Sequence, residues 1–172
     1  FRAVADASPT PVLLYNNPEV AVLTYSTALI SEVAKHPNII GIKDSSGNIG
    51  QLSEIVHLSQ KRFSVFVGSA PVFFPALCVG AVGGILAVAQ VAPEACVNIL
   101  SLFRKGKMDE ARGLQSRLTP LAKGVTTKYG IGGLKMAMDL VGYFSGNPRP
   151  PLKRPGKEVE EELKRMVLRL KK

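Results

Sequence analysis

Tryptophan is absent from this 172-residue chain, and phenylalanine and tyrosine together reach only 6% of it. Aromatic platforms for stacking nucleic-acid bases are correspondingly scarce. Cysteine is limited to Cys78 and Cys96, well separated in apolar stretches and without a C-x-x-C pair, which argues against a disulfide-stapled secreted scaffold and a zinc ribbon. Both are expected to be buried thiols in a reducing compartment. The two histidines, His36 and His57, stand near the ends of predicted helices with no second ligand at helical spacing, so no metal site is expected. Long apolar runs are missing too: glycine, proline or a charged residue interrupts every stretch before the roughly 18 residues of a membrane span. No basic-then-apolar signal segment opens the chain. The expected setting is the cytoplasm or the mitochondrial matrix, with no membrane partner.

What is present is a core-forming composition, 46% hydrophobic against 20% charged, which places the chain among ordinary globular proteins. The formal charge is +9, and residues 153–172 supply +4 of it with eight basic against four acidic side chains. The rest is scattered and carries no nucleic-acid signature, so a solvated basic surface is expected, one that favours anionic small molecules.

One stretch organises the remainder: NIIGIKDSSGNIG, residues 38–50. Its apolar run (Ile39, Ile40, Ile42) looks like a buried parallel strand, it carries one lysine, Lys43, and it breaks at once into a polar turn. Two readings compete for that lysine. Desolvation at the rim of a strand disfavours an ammonium and can free the amine as a nucleophile for carbonyl carbons. Alternatively the side chain lies along the sheet and keeps its charge in water.

Taken in order, residues 1–8 read as the last turns of an amphipathic helix whose beginning is missing, and residues 11–16 as a short buried strand closed by Asn-Asn-Pro. A helix follows over 24–36, with Ala28, Leu29, Ile30, Val33 and Ala34 in helical period. After the lysine strand come a helix over 49–60 with Leu52, Ile55, Val56 and Leu58 inward, a strand over 63–67 ending at Gly68-Ser69, and a compact helix through Phe73, Phe74 and Leu77. A fourth strand is expected over 84–89 and a helix over 93–104. Repeated strand–helix units with short connections argue a parallel sheet covered by helices. Beyond Gly106 only helices are expected, over 108–123, 134–141 and 158–170, with a Gly- and Pro-rich crossing at 142–155. The expected organisation is a partial (β/α) barrel over 1–105 and a helical extension over 106–172.

Five motifs resemble, in order, the dihydrodipicolinate synthase and N-acetylneuraminate lyase superfamily of class I aldolases: LLYNNP (13–18), HPNIIGIKDSSGN (36–48), VGSA (67–70), GAVGGI (80–85) and KYGIGGLKMAMDLVGY (128–143). The last is closest in pattern to 4-hydroxy-2-oxoglutarate aldolase-like members. The resemblance implies the C-terminal half of a (β/α)8 TIM barrel, strands five to eight, plus a C-terminal helical extension; a whole barrel takes roughly 250 residues. It implies a lyase that makes or breaks a carbon–carbon bond of pyruvate or a related 2-oxo acid, with Lys43 as the imine-forming amine and Tyr15 as the proton relay. It places Gly68, Ser69 and the backbone carbonyl of Ile85 near substrate, beside the plainer readings of Gly68 as a tight turn and Ile85 as a packed side chain. No cofactor and no metal are implied, and nucleic acid is not expected as a partner.

Two departures bear on these expectations. The family's GT-T-GE segment, which holds the carboxylate of the oxo acid, has no counterpart here. The arginine and Thr-Gly pair that commonly follow the tyrosine turn are replaced by the Glu19-Val20-Ala21-Val22 stretch, leaving no cation there for a second carboxylate. The open half-barrel is therefore expected to form a homo-oligomer, to complement an N-terminal half, or to join a full-length subunit as a non-catalytic relative.

Overall fold

Polar caps set where two helices of this chain begin. In the computed structural model, which describes residues 1–59 and 62–170, Ser26 Oγ accepts from the Leu29 N–H at 3.2 Å and starts a helix at Thr27, later than its apolar pattern suggested. Asn48 Oδ1 accepts from the Gln51 N–H at 3.1 Å and starts another at Ile49, as expected. The expected helix end at Gln60 and the terminal Lys171 and Lys172 lie outside the described residues. The chain forms two compact units, Phe1–Ile85 and Leu86–Lys172.

The first unit runs α1 (Arg2–Ala7), β1 (Val12–Asn16), α2 (Pro18–Ala21), α3 (Thr27–Val33), β2 (Ile39–Asp44), α4 (Ile49–Leu58), β3 (Ser64–Val67), α5 (Phe73–Cys78) and β4 (Gly83–Gly84). The four strands are parallel in the order β1-β2-β3-β4. One face of the sheet is buried: Leu14, Ile42 and Val65, neighbours across the ladder, share a core with Ile30, Val33, Leu52 and Ile55 from the helices. Between the first two rungs the register slips: Val12 pairs with Ile39 but Leu13 with Gly41, so Ile40 is left over and exposed. Behind β2, the Arg62 guanidinium donates to the carbonyls of Ala34, Lys35, His36 and Pro37, closing the C-terminal end of α3.

Several expectations need correction. The fourth strand is only Gly83–Gly84, because its neighbour β3 ends at Val67 and Gly68 turns away to donate to the Asp44 carbonyl. The apolar residues that follow close a 3₁₀ turn over Ala87–Gln90 on their own backbone instead. Leu58 is 51% exposed, and Ala28 and Leu29 also face solvent; Ile30, Val33, Ala34, Leu52 and Ile55 are the buried residues of the expected inward stripes. The helix α2 was not expected and ends at Val22 with φ +60°. Cys78, on α5, is exposed, whereas Cys96 is buried as expected and both are free thiols. His36 is tied locally, Nε2 to Asp6 Oδ1 at 2.8 Å and Nδ1 to the Asn38 N–H at 3.2 Å, and His57 is exposed. Among the described residues, no cluster of His, Cys, Asp or Glu could hold a metal ion and no helix is long and apolar enough to cross a membrane.

The second unit contains α6 (Pro93–Arg104), α7 (Met108–Lys123), a π-helical turn (Gly124–Lys128), α8 (Gly130–Leu140) and α9 (Lys157–Leu170). Its helix α8 starts four residues before the sequence suggested, because Gly132 and Gly133 serve close packing and not a break. A Cβ on Gly132 would lie 2.3 Å from the Lys153 carbonyl oxygen, and one on Gly133 would lie 2.4 Å from Tyr129 Cβ. Asp139 accepts from the Ser145 N–H at 2.9 Å and pairs with Arg154, which pins the Gly- and Pro-rich crossing at both ends. The Arg154 guanidinium and the Ser145 contacts hold the Asp139 carboxyl down at about 2. Glu162 of α9 takes Lys128 Nζ at 2.7 Å and the Tyr129 hydroxyl at 2.5 Å.

Two measurements check this description. Val22 is a β-branched residue in the left-handed region and 89% exposed. Val22→Gly relieves that strain, so a gain of about 1 kcal/mol is expected from denaturant midpoints at constant slope, net of the added chain entropy. A thiol reagent should modify Cys78 rapidly in the folded chain and Cys96 only after denaturation, since burial pushes the Cys96 thiol up to about 11.

Candidate active site

Parallel pairing brings two strand ends together. Tyr15, on β1, is the register partner of Lys43, on β2. Side chains of directly paired residues project to the same face of a sheet. Here that face is the one opposite the helix-covered core, and Lys43 Nζ lies 4.2 Å from the centroid of the Tyr15 ring. Lys43 is half-buried and Tyr15 is 50% exposed, so the amine and the phenol stand at an open surface with their stems packed.

The next residue along each strand points the other way and fixes this pair. Asn16 and Asp44, also register partners, are 1% and 0% exposed. Asn16 Nδ2 donates to Asp44 Oδ1 at 2.6 Å, and the Ser46 hydroxyl donates to Asp44 Oδ2 at 2.7 Å. A buried carboxylate without such donors would be strongly unfavourable, so these bonds are obligatory for the fold at this point. Asn16 is used on every side: its Oδ1 accepts from the Tyr25 N–H at 3.4 Å and its carbonyl from the Ser45 N–H at 2.8 Å.

Gly68, at the end of β3, is required for space. A Cβ there would come 1.9 Å from Ser45 Oγ and 2.9 Å from Lys43 Cε. Its N–H donates to the Asp44 carbonyl at 2.6 Å, which holds this bare backbone against the lysine stem. Ser69 follows in the same turn; its hydroxyl lies 3.6 Å from where a Cβ of Gly47 would stand, and Gly47 has φ +72°. Ile85 follows β4 directly and its N–H donates to the Val67 carbonyl at 2.9 Å, which sets it on the rim of the sheet. Lys43, Tyr15 and Gly68 are thus in one cluster, Ser69 borders it through the 45–48 turn, and Ile85 is tied to β3.

Two residues in this cluster were not singled out from sequence. Asn17 Nδ2 donates to the Tyr15 hydroxyl at 2.9 Å, and Ser45 sets its Oγ against the bare backbone of Gly68. Partial burial would raise the Tyr15 phenol, but Ser45, Lys43 and Asn17 together outweigh it and bring the phenol below its ordinary value. Ser45 stands two positions after Lys43, a spacing that could have flagged it as a same-side neighbour. An amine beside an acidified phenol can, in chemical terms, add to a carbonyl carbon while the phenol takes and returns a proton.

Residues 1–170 match the dihydrodipicolinate synthetase family. Among similar proteins, the one named "Probable 4-hydroxy-2-oxoglutarate aldolase, mitochondrial" in Emericella nidulans is 38% identical over 165 residues, which are 95% of this chain and 53% of that protein. The 4-hydroxy-tetrahydrodipicolinate synthase of Caldicellulosiruptor bescii is 32% identical over 168 residues, 98% of this chain and 57% of the relative. Among solved structures, the E. coli K12 prophage protein YagE, in complex with pyruvate, superposes with a TM-score of 0.90 at 30% identity, covering 98% of this chain and 59% of its own. The dihydrodipicolinate synthase DapA-2 of Bacillus anthracis gives 0.93 at 26% identity, covering 98% and 57%. This chain therefore spans a little over half the length of these relatives. Its four parallel strands and terminal helices are the C-terminal part of a (β/α)8 barrel with its helical extension, and the chain belongs to the dihydrodipicolinate synthetase family.

Proposed function

We propose that this chain carries the imine-forming half of a pyruvate-type class I lyase. The observation that carries the reading is the Lys43 amine poised 4.2 Å from the Tyr15 ring, on the open face of the sheet and at the C-terminal ends of parallel strands. The neutral amine of Lys43 adds to the carbonyl carbon of a 2-oxo acid; Tyr15 relays the two protons of that nitrogen in turn to the former carbonyl oxygen, which leaves as water, and an imine remains. The imine then draws electrons from the adjacent carbon–carbon or carbon–hydrogen bond. Gly68 leaves room for the lysine stem, with Ser69 and Ile85 at the rim near substrate. Pyruvate, or a hydroxylated 2-oxo acid such as 4-hydroxy-2-oxoglutarate, is the substrate class that the relatives support. The compartment is the cytoplasm or the mitochondrial matrix.

A second reading also has an observation behind it. β1 is paired on one side only, and Leu13 and Tyr15 on it, with Ile40 on β2, leave apolar surface uncovered. Such an edge and face recruit another chain: a further copy, a full-length subunit or an N-terminal half that completes the barrel.

Borohydride reduction in the presence of pyruvate, followed by peptide mass analysis, tests both. Modification of Lys43 in the chain alone, lost in Lys43→Ala, supports the first reading. Modification only after an N-terminal half-barrel or full-length subunit is added, together with a rise in solution mass, supports the second. An unmodified Lys43 under both conditions overturns imine chemistry here. Gly68→Ala should lower the trapping rate roughly 10- to 100-fold by pushing the lysine stem and Ser45 out of place, with little loss of helicity by circular dichroism.

A further inference from the structure

Residues 153–172 carry a surplus of basic side chains that the lyase reading does not use. Elsewhere in the second unit an exposed cation is commonly met by an acid: Lys107 by Glu110, Arg112 by Asp109, Lys128 by Glu162 and Arg154 by Asp139. Arg117 of α7 and Arg165 and Arg169 of α9 are exposed, and among the described residues none of the three makes an ion pair.

Helical spacing gathers these three. Glu162, Arg165, Met166 and Arg169 recur at i, i+3, i+4 and i+7, which sets them on one face of α9, and Arg117 and Pro120 share a face of α7 in the same way. The helices meet closely: Met166 Sδ lies 3.0 Å from where a Cβ of Gly124, just past α7, would stand. The two faces line a groove of about 260 Å³.

The acids around this groove are committed elsewhere. Glu162, the one acid among its lining residues, takes Lys128 Nζ on Oε1 and the Tyr129 hydroxyl on Oε2. Asp109 and Glu110, which share a shallower recess with Arg117, are paired with Arg112 and Lys107 at 2.9 Å each. A cation in the last turn of a helix complements the helix dipole, which accounts for Arg169 alone. It does not account for Arg117, which reaches the same groove from a different helix. Nor does it account for Arg165 and Arg169, four positions apart, where like charges repel each other.

We propose that the groove between α7 and α9 is a binding site for a small organic polycarboxylate, held by the guanidinium groups of Arg117, Arg165 and Arg169. A guanidinium presents paired donors that match a carboxylate bidentately, so three of them suit a ligand with two or three carboxylates. Met166 and Pro120 supply apolar surface for the carbon skeleton between those charges. The volume is below that of ordinary drug-sized pockets, which selects a compact anion, and no aromatic side chain lines the groove to stack a base. The site lies wholly within the second unit and does not rest on the lyase reading of Lys43.

The test is an amide NMR titration of the full chain with citrate at constant ionic strength, with acetate and pyrophosphate as comparison anions. Citrate should give saturating shifts centred on residues 117–120 and 162–169, and acetate should not. Arg117→Gln and Arg165→Gln should each weaken citrate by about 10-fold, the effect of losing one charge-assisted contact. Glutamine keeps the helices intact, which the amide dispersion of α7 and α9 verifies. Arg149→Gln, at an exposed arginine outside the groove, should leave the affinity unchanged. Citrate shifts that never saturate, or that acetate matches, overturn the site, and equal weakening by Arg149→Gln reduces it to general surface charge and overturns it too. Saturation by pyrophosphate without saturation by citrate overturns the carboxylate assignment. Shifts gathered around Lys43 instead of α7 and α9 overturn the groove and leave the lyase reading untouched.

Discussion

The buried bond between Asn16 and Asp44 is the constraint on which the candidate site depends. A carboxylate sealed from water must be met by donors, and the two available are the amide of the neighbouring strand and the hydroxyl of Ser46. Meeting that need fixes the relative height of β1 and β2. Because side chains alternate along strands, fixing one rung fixes the rung before it, where Tyr15 and Lys43 face the other way. The same aspartate also anchors β3, since its carbonyl receives the Gly68 N–H. The Lys43 and Tyr15 side chains lie on one face of the sheet, and the bonds that hold them in register lie mostly on the other.

Much of this fold was readable in the sequence. The parallel strands at 11–16, 39–43 and 63–67 emerge within a residue of their expected bounds, because each is a short apolar run stopped by a polar or glycine turn. The long helices of the second unit were equally clear, α7 to the residue. What misled were cues that serve tertiary packing. The apolar stretch after Gly84 looked like a strand, but its neighbour was too short to support a ladder. The helix expected from 134 begins at Gly130, and Gly132 and Gly133 are contact points inside it.

In the candidate site, sequence reasoning singled out the residues with distinctive chemistry and passed over those whose placement only the fold reveals. Lys43 and Tyr15 stand out as a lone amine and a phenol at the ends of apolar strands. Ser45 and Asn17 are residue types common in turns, where each has an ordinary local use, and only the folded chain shows the Asn17 amide on the tyrosine hydroxyl and the Ser45 hydroxyl against Gly68. Gly68 could equally have been a turn residue. The distance from its absent side chain to Lys43 Cε shows that what it provides is empty volume.

The one-residue slip at Ile40 carries more than local irregularity. Ile39 and Ile42, three positions apart, are both buried, which a regular strand arranges only when both of its faces are covered. Continued without the slip, the pairing that begins at Val12 and Ile39 would set Lys43 beside Asn16, on the side packed with helices. Ile40 is thus the odd count in an otherwise even lattice. Its insertion decides on which side of the wall the amine emerges, toward solvent and carbonyl compounds or into oil.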